Sequence, residues 1–302
     1  MRILFKTIKW LILACLVVIA LAAAYTAYVI YSFDTETLPK NHGRVNTELF
    51  LGEDANQPLI VGLGGSEGGN AWASDYWKPQ RDRFIDQGYA LLALAYFGEA
   101  GVPKSLDRIS LNAIHDAVLE AANDPKINQR CIAIMGGSRG AELALLLASH
   151  FPEFKTVIGI VPGHAVFTAQ TTAMTTSAFS LNDEPLPFVP VPWSATPAII
   201  KGDLRAAWVE MLKDKTAVAE AAIAVEKING PVFLLSGTQD ELWPSSEMSE
   251  LMMKRLADKD FPYVYEHTAI NGGHTAPQKH MNLVEDFLRT HFYSDNESNC
   301  SR

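Results

Sequence analysis

Residues 131–143 read Cys131-Ile-Ala-Ile-Met-Gly136-Gly-Ser138-Arg-Gly140-Ala-Glu-Leu143, and this stretch decides the fold. An apolar strand-like run ends in the motif Gly-x-Ser-x-Gly, and a helical pattern follows over 141–149. At such a sharp strand-to-helix turn, a side chain at either outer glycine would collide with the neighbouring strand or helix. The context predicts Ser138 as a nucleophile, and the alternative is a turn whose serine only caps a helix.

Short apolar runs and helical patterns alternate on both sides of this turn. Helical spacing of apolar residues predicts helices at Leu106–Ala122 and Ser245–Leu256. Strands that alternate with helices form a mainly parallel sheet covered on both faces, so the fold class is α/β. The predicted strands are Thr47–Leu51, Leu59–Leu63, Tyr89–Tyr96, Cys131–Met135, Thr156–Val161, Val232–Leu235 and Tyr263–His267.

A serine hydroxyl is a weak nucleophile at neutral pH, so it needs a base and an acid that orients the base. Asp240 follows the strand Val232–Leu235 in a loop, and His274 follows the last strand after Asn271-Gly-Gly. The chain order Ser138, Asp240, His274 is that of the α/β-hydrolase fold. Glu241 is the rival for the acid and His280 for the base, while Asp240 alternatively only bonds its own turn.

A second glycine cluster, Leu63-Gly-Gly-Ser-Glu-Gly-Gly69, follows the strand Leu59–Leu63. In acyl-transfer enzymes a loop at this place supplies one backbone N–H to the tetrahedral oxyanion, and the residue after the nucleophile, here Arg139, supplies the other. Gly65 and Ser66 are both candidates for the first donor. The dinucleotide-binding spacing Gly-x-Gly-x-x-Gly fails at Glu67, so we expect no phosphate site here.

The N-terminal segment carries no formal charge from Trp10 to Phe33, which is long enough for a transmembrane helix. Arg2, Lys6 and Lys9 precede it, so the positive-inside rule places residues 1–9 in the cytoplasm and the catalytic domain on the other side. The alternative is a signal peptide that is cleaved and leaves a secreted protein.

The remaining chain divides into a linker at 34–44, one domain at 45–293 and a polar tail at 294–302. A proline-rich stretch interrupts the alternation of strands and helices, and it predicts a cap or lid inserted at about 162–229. The three cysteines, Cys15, Cys131 and Cys300, lie in unrelated settings along the sequence, and nothing indicates a disulfide framework.

Composition limits the partners. The formal net charge is −9, so clustered cations for nucleic acid are lacking and we expect no nucleic-acid partner. No His, Cys, Asp and Glu set has metal-ligand spacing, so we expect neither metal nor cofactor. The expected partners are a membrane, through residues 10–33, and a small acyl ester or thioester. The oligomeric state stays open.

Several motifs together resemble one family. They are Gly64-Gly-Ser-Glu-Gly-Gly69, Ala95-Tyr-Phe-Gly98, Gly136-Gly-Ser-Arg-Gly-Ala-Glu-Leu143, Val225-Glu-Lys-Ile228, Trp243-Pro-Ser245 and Gly272-Gly-His274. The set, from about Pro58 to about Phe292, is similar to the C-terminal catalytic domain of acyl-CoA thioesterases and bile acid-CoA:amino acid N-acyltransferases.

The resemblance implies the α/β-hydrolase fold, an acyl-enzyme on Ser138 and a fatty-acyl thioester substrate. Its acyltransferase members often carry cysteine as the nucleophile, so serine favours hydrolysis. The N-terminal β-sandwich domain of mammalian members has no room between residues 33 and 45, and acyl-CoA is scarce outside the cytoplasm. The alternatives are therefore a carboxylesterase or dienelactone-hydrolase-like ester hydrolase, an acyltransferase, and an inactive membrane-tethered binding module.

Overall fold

The structure is a computed structural model that describes residues 2–293 and 300. The strands are β1 Asn46–Phe50, β2 Gln57–Leu63, β3 Ala90–Ala95, β4 Ile109–Ser110, β5 Ile127–Gly137, β6 Phe154–Ile160, β7 Phe179–Leu181, β8 Glu184–Pro185, β9 Val232–Gly237 and β10 Tyr265–Ile270. The α-helices are α1 Arg2–Ser32, α2 Lys78–Asp86, α3 Leu111–Ala122, α4 Arg139–His150, α5 Thr196–Lys201, α6 Leu204–Met211, α7 Lys215–Ala221, α8 Ser245–Asp258 and α9 Met281–Phe287.

The main sheet has seven strands in the order β1-β3-β2-β5-β6-β9-β10. Only the edge strand β1 is antiparallel to its neighbour, and the other six strands run parallel. All seven predicted strands are therefore confirmed, with ends that shift by a few residues. Because parallel strands end at one edge of the sheet, the loops after β2, β5, β9 and β10 lie together there.

Both faces of the sheet are covered. In β2 the side chains of Leu59, Val61 and Leu63 enter one hydrophobic cluster, and Ile60 enters the cluster on the opposite face. Leu143 of α4 packs on the first face. Alternate residues of one fully buried strand thus serve two cores, as the mainly parallel sheet requires.

The helix predicted at Leu106–Ala122 begins later than expected. Residues Ile109 and Ser110 form β4 and pair with β7, and helix α3 starts at Leu111. The hydroxyl oxygen of Ser110 accepts the N–H of Ala113 at 3.2 Å, which caps the helix. The prediction for residues 106–110 was wrong because apolar spacing also fits a short strand that pairs with a distant one. The helix predicted at Ser245–Leu256 is confirmed as α8.

The chain between β6 and β9 leaves the main sheet. It contains β7, which pairs with β4, and β8, which pairs with β7, so that the three strands form a small second sheet; the short helices α5, α6 and α7 follow. The insertion predicted at about 162–229 falls within this segment. Of the polar tail predicted at 294–302, only Cys300 belongs to the described residues.

Two cysteines that are distant in sequence lie together. Cys131 of β5 and Cys300 share one buried cluster, and a side-chain hydrogen bond between the two thiols lowers the pKa of Cys131. The expectation that all three cysteines have unrelated settings was therefore wrong for this pair. A sequence cannot show which strand a terminal residue contacts.

Helix α1 lies apart from these cores. Its segment Leu4–Ser32 is long and apolar enough to cross a bilayer, and none of its most apolar stretch is buried against the rest of the chain. A signal sequence near the N-terminus has the same properties. Length and apolarity thus agree with the prediction of a membrane segment, and they do not give its orientation.

A buried ion pair ties the first turn of α4 to the inserted segment. Arg139 Nη1 lies 2.8 Å from Glu142 Oε2, and the side chains of both residues are at most 1% exposed. Glu142 Oε1 accepts the N–H of Phe167, and Arg139 Nη2 donates to the carbonyl oxygen of Thr168. Burial raises the pKa of Glu142 to about 7, which shows how strongly this interior opposes charge.

We predict that Glu142→Leu lowers the free energy of unfolding by about 3–5 kcal/mol, because Arg139 is left as a buried charge without its partner. The double variant Arg139→Met/Glu142→Leu should be more stable than Glu142→Leu alone, since it removes both charges. Asp82→Asn, which breaks the exposed pair Lys78–Asp82, is the control, with a loss of at most about 1 kcal/mol. Chemical unfolding of the full chain in mild detergent measures all three. A loss of under 1 kcal/mol in Glu142→Leu would contradict the prediction.

Candidate active site

Ser138 lies at the turn between β5 and α4 in a strained backbone conformation. Its φ is 54° and its ψ is −120°, a combination that L-residues rarely adopt. The N–H of Ser138 donates to the carbonyl oxygen of Ile160 at 2.8 Å, which holds the turn against the end of β6. The strain is therefore maintained by neighbouring backbone, as expected of a nucleophile at such a turn.

The outer glycines of the motif are required by close backbone contacts. A Cβ placed on Gly136 would lie 2.1 Å from the carbonyl oxygen of Gly140, and one on Gly140 would lie 2.2 Å from the carbonyl oxygen of Gly64. Real Cβ atoms do not approach backbone this closely. The predicted steric reason for these two glycines is confirmed, whereas a Cβ on Gly137 would meet nothing within 4 Å.

Asp240 lies in the loop after β9 and is almost fully buried, with 1% of its surface exposed. Its Oδ1 accepts the N–H groups of Leu242 and Trp243 at 3.0 and 3.2 Å. Its Oδ2 accepts the hydroxyl of Ser245 at 2.6 Å. Both carboxylate oxygens lie 2.9 Å from Nδ1 of His274. Burial alone would raise the pKa of Asp240, but the hydrogen bonds from His274 and Ser245 outweigh it and hold that pKa below its ordinary value.

The contact with Asp240 defines the tautomer of His274. An ionised Asp240 only accepts, so Nδ1 of His274 carries a hydrogen and the other ring nitrogen, Nε2, is left as the acceptor. The rival acid Glu241 has another role, because its Oε2 accepts the backbone N–H of His274 at 2.9 Å. The fallback base His280 ends the 3₁₀ helix Ala276–His280 and does not line the pocket described next.

A pocket of about 270 Å³ lies at the carboxyl edge of the sheet, and Ser138 and His274 both line it. Trp72 and Trp77, whose rings stack with their centres 4.5 Å apart, form part of its wall. The other apolar lining residues are Leu63, Ala71, Ile160, Val161 and Leu242. The three predicted side chains are thus brought to one site, with Asp240 behind His274.

The proline-rich stretch does not line this pocket. None of the residues from 162 to 229 lines it, and the loop that carries Trp72 and Trp77 takes that place. The cap predicted at about 162–229 therefore contributes no residue to the lining of this pocket. Trp72 and Trp77 were missed because aromatic residues in a loop carry no local signal that distinguishes a pocket wall from core packing.

The glycine loop after β2 lies directly beside Ser138. A Cβ placed on Gly65 would be 3.3 Å from Cβ of Ser138 and 2.9 Å from the carbonyl oxygen of Gly137. The backbone of Gly65 therefore lies against Ser138. Ser66 is exposed, and its hydroxyl oxygen accepts the side-chain amide of Gln170 at 2.7 Å. Arg139 begins α4, where the first backbone N–H groups have no acceptor within the helix.

Sequence reasoning missed several residues that hold the site. The hydroxyl of Tyr96, at the end of β3, donates to the carbonyl oxygen of Gly64 at 2.6 Å. Ser245 donates to Asp240, and Glu67 accepts the N–H of Gly65 at 2.9 Å. Tyr96 and Ser245 occur in short motifs after strands, but only the folded chain shows what they contact. Within residues 2–293 and 300, no group of three or more His, Cys, Asp or Glu side chains is arranged to hold a metal ion.

Comparison with known proteins identifies relatives of this chain. The family model described as BAAT / Acyl-CoA thioester hydrolase C terminal matches residues 110–278. Acyl-coenzyme A thioesterase 2, mitochondrial, of Mus musculus is 27% identical over 220 residues, which are 72% of this chain and 45% of that protein. Acyl-coenzyme A amino acid N-acyltransferase 1 of Mus musculus is 28% identical over 217 residues, 71% of this chain and 47% of that protein. The chain thus spans about half the length of the curated relatives it matches.

Solved structures confirm the α/β-hydrolase fold. The acylaminoacyl peptidase of Pyrococcus horikoshii aligns with a TM-score of 0.59 at 15% identity, over 86% of this chain and 41% of that one. A puromycin-hydrolysing peptidase of Mycobacterium tuberculosis aligns with a TM-score of 0.53 at 18% identity, over 82% of this chain and 36% of that one. At such identities the likeness concerns the arrangement of strands and helices.

We predict that Gly140→Ala lowers the free energy of unfolding by about 1–3 kcal/mol or more, because the new Cβ meets the carbonyl oxygen of Gly64. Gly137→Ala, two residues before helix α4 begins, is the matched control, because its methyl group has open space. Thermal unfolding of the full chain compares the two. Equal midpoints for Gly140→Ala and Gly137→Ala would show that the turn relaxes and that the close contact is dispensable.

Proposed function

The chain belongs to the BAAT / acyl-CoA thioester hydrolase C-terminal family, and on this premise we propose that it hydrolyses acyl thioesters through an acyl-serine intermediate on Ser138. The proposal depends above all on one observation. A strained serine and a histidine held by a buried carboxylate line the same pocket. Family membership supplies the reaction class, and this arrangement supplies the chemistry.

In the proposed acylation step, Nε2 of His274 removes the hydroxyl proton of Ser138 as Oγ attacks the carbonyl carbon of the thioester. Asp240 stabilises the imidazolium that forms, because its carboxylate accepts the Nδ1 hydrogen and stays ionised. Backbone N–H groups of Gly65 and Arg139 stabilise the oxyanion. When the tetrahedral intermediate collapses, the carbon–sulfur bond breaks and His274 returns the proton to the departing sulfur.

Deacylation repeats the sequence with water. His274 takes a proton from a water molecule, the hydroxide attacks the acyl carbon, and the proton goes to Oγ of Ser138 as the acid leaves. The small, largely apolar pocket suits an uncharged acyl group. Serine as the nucleophile and a water-accessible pocket favour hydrolysis over transfer to an amine.

We further propose that helix α1 holds the enzyme at a membrane. Its segment Leu4–Ser32 has the length and apolarity for one span, and Lys6 and Lys9 lie in its first turns, at the end predicted to be cytoplasmic. The catalytic domain then lies on the other side, where an acyl thioester or oxyester must be available. This position is the reason to test esters beside acyl-CoA.

We predict that a fluorophosphonate probe labels the wild-type chain and does not label Ser138→Ala. The same substitution should lower kcat for ester hydrolysis by about 10⁶-fold, because no other group replaces the nucleophile. Ser194→Ala, at an exposed serine that does not line the pocket, is the control and should keep both properties. Equal labelling of wild type and Ser138→Ala would reject the assignment.

Measuring kcat/KM for pairs of an acyl-CoA and a p-nitrophenyl ester with the same acyl chain determines the substrate class. We expect acyl-CoA to be hydrolysed with the higher kcat/KM. A clear preference for the simple esters would leave the mechanism on Ser138 intact and replace the thioesterase by a carboxylesterase. Release of an N-acyl amino acid from acyl-CoA and glycine would instead indicate an acyltransferase. A folded chain that is inert toward all of these substrates would indicate a binding module.

A further inference from the structure

The backbone N–H of Gly65, a proposed oxyanion donor, is already occupied by a side chain. Oε1 of Glu67 accepts this hydrogen at 2.9 Å. Glu67 itself lines the pocket with Ser138 and His274. The mechanism above assigns this carboxylate no part, although it binds the group that the reaction requires.

The peptide that carries this N–H has little freedom to turn. The carbonyl oxygen of Gly64 and the N–H of Gly65 belong to one planar trans peptide, so they point in opposite directions. Tyr96 donates to that oxygen at 2.6 Å, and the backbone of Gly140 packs against it on another side. Burial raises the pKa of Tyr96, so its hydroxyl remains a donor at neutral pH. The N–H of Gly65 therefore keeps its direction whether or not Glu67 is bound to it.

The carboxylate and the nucleophile flank the same point. A Cβ built on Gly65 would lie 3.0 Å from Oε2 of Glu67 and 3.3 Å from Cβ of Ser138. A carboxylate oxygen accepts an N–H in the way an oxyanion does, with a charge-assisted hydrogen bond. The tetrahedral oxyanion and Oε1 of Glu67 thus compete for one donor.

Glu67 has room to leave. Glu67 is exposed to solvent, whereas Gly65 is buried. The side chain of Glu67 rotates about three bonds without disturbing the sheet. Displacement costs the charge-assisted hydrogen bond, which the oxyanion replaces later along the reaction path. An acyl group that carries its own carboxylate near the reacting carbonyl would also be repelled by Glu67.

We propose that Glu67 is a gate and a specificity-determining residue, which occupies the Gly65 N–H in the free enzyme and must withdraw before the oxyanion forms. Its charge selects uncharged acyl groups over anionic ones. This inference rests on the proposed function, because it assigns Gly65 as an oxyanion donor for attack by Ser138.

The test compares wild type, Glu67→Ala and Glu67→Gln as full chains in mild detergent. The measurements are the rate constant for fluorophosphonate labelling and kcat/KM for p-nitrophenyl butyrate and p-nitrophenyl hemisuccinate. Removal of the carboxylate should raise the labelling rate and kcat/KM for the butyrate about tenfold in Glu67→Ala. Glu67→Gln keeps a neutral acceptor, so its increase should be smaller. Glu53→Ala, at an exposed glutamate outside the pocket, is the matched control and should be unchanged.

The two esters separate a gate from a loop support. Glu67→Ala and Glu67→Gln should both increase hydrolysis of the hemisuccinate more than that of the butyrate, because both remove the negative charge. Unchanged or slower labelling in Glu67→Ala, or an unchanged ratio between the two esters in both variants, would overturn the proposal. Labelling of neither wild type nor variant would instead reject Ser138 as the nucleophile.

Discussion

The structure depends on how closely three segments of backbone approach one another around Ser138. The carbonyl oxygen of Gly64 lies 2.2 Å from the position that a Cβ of Gly140 would take, and the carbonyl oxygen of Gly140 lies 2.1 Å from that of a Cβ of Gly136. No side chain fits between the strand, the turn and the loop after β2. This contact sets the distance between the proposed nucleophile and the proposed oxyanion loop, so the proposed chemistry depends on the absence of a side chain at Gly136 and at Gly140.

Hydrogen bonds and an ion pair then stabilise the loops and the turn that this backbone contact brings together. Asp240 receives hydrogens from two backbone N–H groups, from Ser245 and from His274, and these bonds keep it ionised in spite of burial. The pair Arg139–Glu142 connects the first turn of α4 to the inserted segment at the cost of two desolvated charges. The site is therefore fixed from both sides, by the loops after β9 and β10 and by the inserted segment.

Glu67 shows a different use of charge. Asp240 and Glu142 are buried, whereas Glu67 is exposed and binds one backbone N–H that the proposed reaction also needs. A buried carboxylate orients its hydrogen-bond partner, because replacing that partner by water is costly in the interior. An exposed carboxylate exchanges its partner for water easily. It is therefore better suited to controlling access to the Gly65 N–H than to stabilising the fold.

Local chemistry made much of this protein predictable from its sequence. The glycines around Ser138, the alternation of strands and helices and the order Ser138, Asp240, His274 are properties of short segments, and the fold follows from them. Tertiary structure decided which residues meet across long distances in the chain. Trp72 and Trp77 form part of the pocket wall, Tyr96 fixes the peptide of Gly64, Cys300 lies beside Cys131, and Glu241 holds the backbone of His274. These contacts depend on where whole loops pack at the edge of the sheet, and no residue type or spacing along the chain encodes that position.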